Sequence, residues 1–145
     1  MSNIIFDFDG NIADSLPIVM ELFFDWSGIE PLSKKEIEKV RNMHTKDIFG
    51  YFGISIWKAP SLLVKGRSEL GKRLDDVLIF GGIEDVLKQL SKQGHTLYVV
   101  SSNSTLNIRR FLRKNKISKY FSGVHGNVGI FGNTNVLRTI IRKYH

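Results

Sequence analysis

The sequence predicts an α/β protein, an incomplete Rossmann-like parallel sheet core that carries an inserted small helical domain. Two mainly apolar segments, residues 4–8 and 96–100, have the composition of strands buried on both faces of a parallel sheet. A helical pattern follows each segment, and this alternation is typical of β-α-β units. Residues 16–78 show only helical patterns, so we assign residues 1–15 and 79–145 to the sheet core and residues 16–78 to the inserted domain.

The first predicted strand ends in two aspartates and a glycine, Asp7, Asp9 and Gly10. Side chains alternate along a strand, so Asp7 and Asp9 lie on the same side, where neighbouring carboxylates repel unless a cation or a shared proton compensates. Parallel sheets bind ligands beyond the carboxyl ends of their strands. A divalent metal ion held by the two aspartates is therefore the simplest interpretation.

An ordinary Asp-Gly turn is the alternative interpretation of this segment. The flanking residues favour a strand-loop-helix junction. Asp14 and Ser15 have the residue types of a helix N-cap, and Pro17 falls in the first turn of the helix that follows. The segment thus predicts a strand end and a helix start on either side of the two carboxylates.

Four amphipathic helices are predicted in the inserted domain. The first covers about residues 15–26, where apolar side chains recur at steps of three and four residues. Ser33 and Glu36 have the spacing of a capping box that opens the second helix. Thr45 is predicted to cap the third helix, and the fourth begins within residues 55–60.

The chain then returns to the predicted core. An amphipathic helix follows two glycines and ends at Gly94, and a second apolar strand covers residues 96–100. This helix-strand order places the second strand beside the first in a parallel sheet. The remaining predicted elements are a polar loop over 101–104, a helix over 105–114, a short strand near 123–125, a glycine-rich loop over 126–132 and a final amphipathic helix.

These features resemble the haloacid dehalogenase superfamily of phosphatases. The first motif of that superfamily is Asp-x-Asp-Gly-Thr or Asp-x-Asp-Gly-Val, followed by a short apolar stretch and often by Asp-Ser. Asn11 departs from this first motif. The residues that match it are Asp7, Asp9, Gly10, Asp14 and Ser15. Ser101 matches the second motif, a Ser or Thr after an apolar strand.

The resemblance implies a phosphatase for a small phosphorylated metabolite such as phosphoglycolate. By it, Asp7 attacks phosphorus to give an aspartyl-phosphate, and Asp9 protonates the leaving oxygen and later activates water. Mg²⁺ is the implied cofactor, held by Asp7 and Asp9, and the helical insertion corresponds to the small cap domain of phosphoglycolate-phosphatase-like members. The residues implied to bind substrate are Gly10, Ser101, Ser102, Asn103 and Asn133.

Two departures from the family pattern predict an impaired enzyme. Phe131-Gly132-Asn133 resembles the family's Phe-Gly-Lys, so an uncharged amide replaces the lysine that clamps the phosphoryl group. No acidic residue follows Asp85, so the Gly-Asp of the fourth motif is missing and the chain is predicted to be truncated before it. That motif's strand would lie beside residues 4–8, and we expect an open sheet edge there that a homo-oligomer would cover.

The charge is distributed unevenly along the chain. The net charge is +7, yet all 14 acidic residues lie at or before Asp85, so residues 86–145 carry only Lys and Arg as charged side chains. A solvated basic face is one interpretation. The others are an anionic ligand such as a phosphate, a nucleic acid, or an acidic segment that once followed in the same polypeptide. The alternative function is thus a non-catalytic module that uses this basic half to bind nucleic acid or an acidic partner. Nucleic acid is disfavoured because no aromatic-interleaved RNA motif accompanies the charges.

Composition narrows the class of protein further. The 145 residues contain no cysteine, which excludes disulfides and thiol catalysis. Hydrophobic residues make up 42% of the chain, enough to bury a core, but no apolar segment is long enough to span a membrane. Asp7 and Asp9 interrupt the N-terminal apolar run, so no secretory signal is predicted. We therefore expect a soluble cytoplasmic protein with no membrane partner.

Overall fold

A computed structural model describes residues 1–128 except 28, 29, 54, 56 and 58. The chain divides into two compact units, one formed by residues 1–16 and 73–145 and the other by residues 17–72. The elements of the first unit are β1 (Asn3–Phe6), β2 (Ala13–Asp14), β3 (Leu78–Ile79), α5 (Ile83–Lys92), β4 (Thr96–Val100), α6 (Thr105–Lys114) and β5 (Phe121–His125). Those of the second unit are α1 (Leu16–Ser27, which begins in the first unit), α2 (Lys34–Arg41), α3 (Thr45–Tyr51) and α4 (Ala59–Lys72).

A parallel sheet in the order β1-β4-β5 organises the first unit and confirms the predicted α/β class. Asn3 pairs with Thr96 at one end of the β1-β4 ladder, and Val100 pairs with His125 at the end of the β4-β5 ladder. The central strand is buried from Leu97 onward and covers the residues predicted for it. All three strands run in the same direction, so their carboxyl ends meet at one edge of the sheet.

The prediction that the first strand is buried on both faces is wrong. β1 ends at Phe6, before both aspartates, and none of its residues is buried. Ile5 keeps 39% of its surface exposed. The physical reason is position, because β1 is an edge strand whose only partner in the described part of the chain is β4.

Aromatic contacts attach the start of the chain to the rest of the core. Phe8 is fully buried and meets Phe111 of α6 edge-to-face, with the two ring centroids 5.2 Å apart. Phe6 makes a similar contact with Phe121 of β5 at 5.9 Å. The apolar stripe of α6 is buried as predicted, through Ile108, Phe111 and Leu112. These contacts hold the loop that carries Asp7 and Asp9 against the core.

A second, antiparallel pair of strands was not predicted. β2 and β3 pair through Ala13 with Ile79 and through Asp14 with Leu78. The prediction of no strand within residues 16–78 is therefore wrong at Leu78. Strands of two residues are too short to show the alternation of side chains by which a sequence predicts a strand.

The second unit is helical, as predicted. The capping box is confirmed, because Glu36 N donates to the Ser33 hydroxyl and Ser33 N donates to the Glu36 carboxylate. Hydrogen bonds from the side chain and the backbone of Ser33 hold the pKa of Glu36 below its usual value. The cap predicted at Thr45 is wrong, since α3 already includes Thr45 and His44 is the N-cap residue. That this unit acts as a cap domain stays a prediction.

Asn133 and the predicted final amphipathic helix lie outside the described residues. Across the helices that are described, length and hydropathy together fall short of what a membrane-spanning segment requires.

Candidate active site

A tight turn follows β1 and positions the two aspartates. The amides of Ile12 and Ala13 both donate to the Phe8 carbonyl oxygen at 3.0 Å, and Gly10 N donates to the Ala13 carbonyl oxygen at 2.9 Å. Gly10 has a φ of +76°, a conformation that only glycine adopts without strain. The turn is thus closed by its own backbone, with Asn11 exposed on it.

Asp7 is exposed immediately beyond the carboxyl end of β1. Its Oδ1 accepts a hydrogen bond of 2.7 Å from the backbone N–H of Phe8. This bond orients the carboxylate through the local backbone. An exposed, oriented carboxylate at the ligand-binding edge of a parallel sheet is suited to contact a ligand.

Asp9 is held on both sides by neutral donors. The Ser15 hydroxyl donates to Asp9 Oδ1 at 2.8 Å, and the Asn103 amide nitrogen lies 3.3 Å from Oδ1 and 3.1 Å from Oδ2. Ser15 is only 3% exposed and Asn103 only 1%. Because both donors are buried, their hydrogen bonds fix the orientation of the Asp9 carboxylate. The structure thereby joins the first predicted motif to the second.

The contact between Ser15 and Asp9 is a role that sequence reasoning missed. The sequence identified Ser15 as an N-cap type and as a motif match, but not as a partner of Asp9. The two residues are six positions apart across an irregular turn, and no periodicity relates them. The recurrent Asp-Ser after the first motif was the available signal.

The loop after β4 is shaped by side chain to backbone hydrogen bonds. Asn103 N donates to the buried Ser101 hydroxyl at 3.1 Å, and Ser104 N donates to Asn103 Oδ1 at 2.8 Å. A hydroxyl has one hydrogen to donate in addition to the bond it accepts, so Ser101 can donate to an anionic ligand. Ser102, which lies between Ser101 and Asn103 in the sequence, is half-buried.

The chain beyond β5 holds the loop after β4 in place, which the sequence did not predict. Asn127 N donates to the Asn103 carbonyl oxygen at 2.7 Å, and Val128 N donates to the Ser101 carbonyl oxygen at 3.1 Å. Gly126 N donates to the Thr105 hydroxyl at 3.0 Å. The backbones of Asn103 and Ser101 are therefore fixed by a neighbouring segment as well as by their own turn.

Hydrogen bonds bring together four of the residues discussed so far, linking Ser15 to Asp9, Asp9 to Asn103 and Asn103 to Ser101. A fifth, Asp7, lies two residues before Asp9. No cluster of three metal-ligand side chains occurs among the described residues. The oxygen donors of the loop still fit Mg²⁺ in kind, because this ion is commonly held by one or two carboxylates with water and substrate phosphate.

Comparison of the sequence with known proteins identifies a family. The sequence pattern of the haloacid dehalogenase-like hydrolases matches residues 4–145. The chain is also 31% identical over 146 residues to the phosphoglycolate phosphatase of Synechococcus elongatus, in an alignment that covers 99% of this chain and 69% of that protein.

Solved structures share the fold. A haloacid dehalogenase-like hydrolase from Streptococcus pneumoniae superposes with a TM-score of 0.72 at 19% identity, covering 99% of this chain and 70% of that one. Protein tyrosine kinase A of Mycobacterium tuberculosis gives 0.76 at 20% identity, with 99% and 69% covered. The family match extends over nearly the whole sequence, and the chain belongs to the haloacid dehalogenase-like hydrolase family.

Proposed function

We propose that the protein is a phosphatase for a small, phosphoglycolate-like phosphate ester and acts through an aspartyl-phosphate. One observation carries this proposal. The Asp9 carboxylate is fixed by buried Ser15 and Asn103, while Asp7 is exposed two residues earlier at the carboxyl end of β1. Two carboxylates in different environments are suited to two different chemical roles.

Asp7 is the nucleophile in this proposal. One of its carboxylate oxygens forms a bond to phosphorus while the bond from phosphorus to the ester oxygen breaks. Asp9 gives its proton to that leaving oxygen, so an alcohol departs. Water then attacks the phosphorus of the aspartyl-phosphate and Asp9 takes the proton of the water. Inorganic phosphate leaves, and both aspartates return to their first state.

Mg²⁺ is part of the proposal as a cofactor. The Asp7 carboxylate and the Asp9 main-chain carbonyl would hold it, and when bound it would neutralise charge between a carboxylate nucleophile and an anionic substrate. The residues proposed to hold the phosphoryl group are Ser101, Ser102 and Asn103 with the turn at Gly10. The helical unit of residues 17–72 would serve as the cap that excludes water.

Phosphate release from 2-phosphoglycolate, with Mg²⁺ or with a chelator, tests this proposal. We expect slow, Mg²⁺-dependent release, because Asn133 supplies no charge to the transferred group. Asn133→Lys should raise the rate by roughly tenfold. Asn42→Lys is the control, since it adds the same charge to an exposed position of the helical unit. Release that is equally fast with the chelator would contradict the metal requirement.

A basic surface favours a second candidate function, the binding of a polyanion. Every Lys and Arg within residues 86–128 is exposed, and no acidic residue lies in that range. Of these, Arg110 and Lys114 both pair with Asp75. If this surface is the functional one, binding to an acidic protein or to nucleic acid should weaken steeply with salt and survive Asp7→Asn. Binding that is absent at low salt would eliminate the candidate.

A further inference from the structure

The side chain of Asn103 uses both ends of its amide, and Asn107 contacts one of them. Asn103 Oδ1 accepts from Ser104 N at 2.8 Å and from Asn107 Nδ2 at 3.2 Å. Its Nδ2 donates to the Asp9 carboxylate. Asn107 lies in the first turn of α6 and is half-buried. A continuous series of hydrogen bonds thus runs from the start of α6 to Asp9.

The directions of these hydrogen bonds follow from the chemistry of the groups. A backbone N–H only donates, so the Asn103 atom that faces Ser104 N is the oxygen, and the Asn103 NH₂ group faces Asp9. Asn107 faces that same oxygen and must present its own NH₂ group. One consistent orientation satisfies all the groups, and rotation of the Asn103 amide by half a turn would place oxygen against carboxylate.

The backbone of Asn107 is fixed separately from its side chain. Asn107 N donates to the N-cap hydroxyl of Ser104 at 3.1 Å. A substitution at this position therefore keeps the helix cap and changes only what faces Asn103. Two donors on one amide oxygen also polarise the amide and strengthen the bond from its NH₂ group to the carboxylate.

We propose that Asn107 is a positioning residue for Asp9, acting through the amide of Asn103. The side chain of Asn107 donates to the Asn103 amide oxygen and keeps the amide in the orientation that presents NH₂ to Asp9. The expected effect on catalysis rests on the proposed role of Asp9 as the acid and base. The expected effect on the orientation of the Asn103 amide is independent of that role.

Two variants of Asn107 distinguish loss of its hydrogen-bond donor from loss of its side-chain volume. Asn107→Leu keeps a similar volume without a donor, and Asn107→Asp puts an acceptor opposite the Asn103 oxygen. A carboxylate in the first turn of a helix is favourable to helix stability, so Asn107→Asp should fold. Asn115→Leu is the matched control, because the side-chain amide of Asn115 donates a hydrogen bond to the Phe111 carbonyl oxygen at the other end of α6.

The first measurement needs no enzymatic activity. In NMR spectra of the full chain, the side-chain NH₂ hydrogens of Asn103 should exchange slowly with water, because Asn103 is buried and its NH₂ group donates to Asp9. Asn107→Asp should abolish this slow-exchange response, Asn107→Leu should reduce it, and Asn115→Leu should leave it intact. An unchanged response in Asn107→Asp would overturn the proposal.

The second measurement is kinetic, with 2-phosphoglycolate and Mg²⁺. Because Asn107 acts on Asp9 through the Asn103 amide, kcat should fall about fivefold in Asn107→Leu and about a hundredfold in Asn107→Asp, with a smaller change in KM. A rise in KM with kcat unchanged would overturn the positioning role. If no chain releases phosphate while the NMR response is lost as expected, the positioning stands and the proposed phosphatase function fails.

Discussion

Asp7→Asn is expected to reduce phosphate release by roughly a thousandfold or more, because it replaces the carboxylate that bonds phosphorus in the first step of the proposed mechanism. The amide oxygen of asparagine is a poor nucleophile, yet its shape is almost that of aspartate. Asp7 is exposed, and its one described bond, from Phe8 N, is to an oxygen that asparagine retains. The variant should therefore fold as the unsubstituted chain does.

A matched variant separates this effect from a general loss of negative charge. Asp85→Asn removes an exposed carboxylate from the first turn of α5 in the same unit and should leave the rate unchanged. Rates are to be compared after circular dichroism has shown equal folding. Substantial release by Asp7→Asn would assign the nucleophile to another group and contradict the proposed mechanism.

Gly126→Ala is expected to have the second large effect, although Gly126 carries no functional group. A Cβ at this position would lie 2.3 Å from Thr105 N and 2.6 Å from the Asn103 carbonyl oxygen. Both are backbone atoms at the site, so the loop after β4 or the segment after β5 must shift. Overpacking of this kind costs about 1–3 kcal/mol of stability, and a shift of about 1 Å at a site costs roughly a hundredfold in rate.

Gly81→Ala is the control for this prediction. Among the described residues other than Gly81 and its two chain neighbours, no atom lies within 4 Å of a Cβ built at Gly81. Thermal unfolding and phosphate release are measured for both variants. Gly126→Ala with unchanged stability and rate would show that the segment after β5 does not hold the loop of Ser101 and Asn103.

The sequence predicted the central part of the fold well because its signals there are local and strong. The strand of residues 96–100 and the helix of residues 105–114 coincide with β4 and α6. β4 is buried from Leu97 onward and α6 buries one stripe of apolar residues, so the strand shows a continuous apolar run and the helix a clear helical period. The capping box at Ser33 was equally clear, since its residues contact one another three positions apart.

Apart from the cap at Thr45, the errors concern contacts that no regular spacing in the sequence reports. An apolar composition does not distinguish a central strand from an edge strand, so β1 was expected to be buried on both faces, although the missing fourth motif already predicted an open edge beside it. The pairing of β2 with β3 and the bond from Ser15 to Asp9 connect residues with no regular spacing. The sequence placed Gly126 in a glycine-rich loop and did not predict its close approach to Thr105, because the two residues are 21 positions apart in the chain.

Chemical capture of the intermediate tests the central claim most directly. The chain and its Asn133→Lys variant are mixed with 2-phosphoglycolate and Mg²⁺, quenched, reduced with borohydride and digested for mass spectrometry. Reduction converts an aspartyl-phosphate to homoserine. We expect homoserine at position 7 and not at position 9, and none in Asp7→Asn. Phosphate release without homoserine at position 7, or with homoserine at another aspartate, would contradict the claim that Asp7 is the nucleophile.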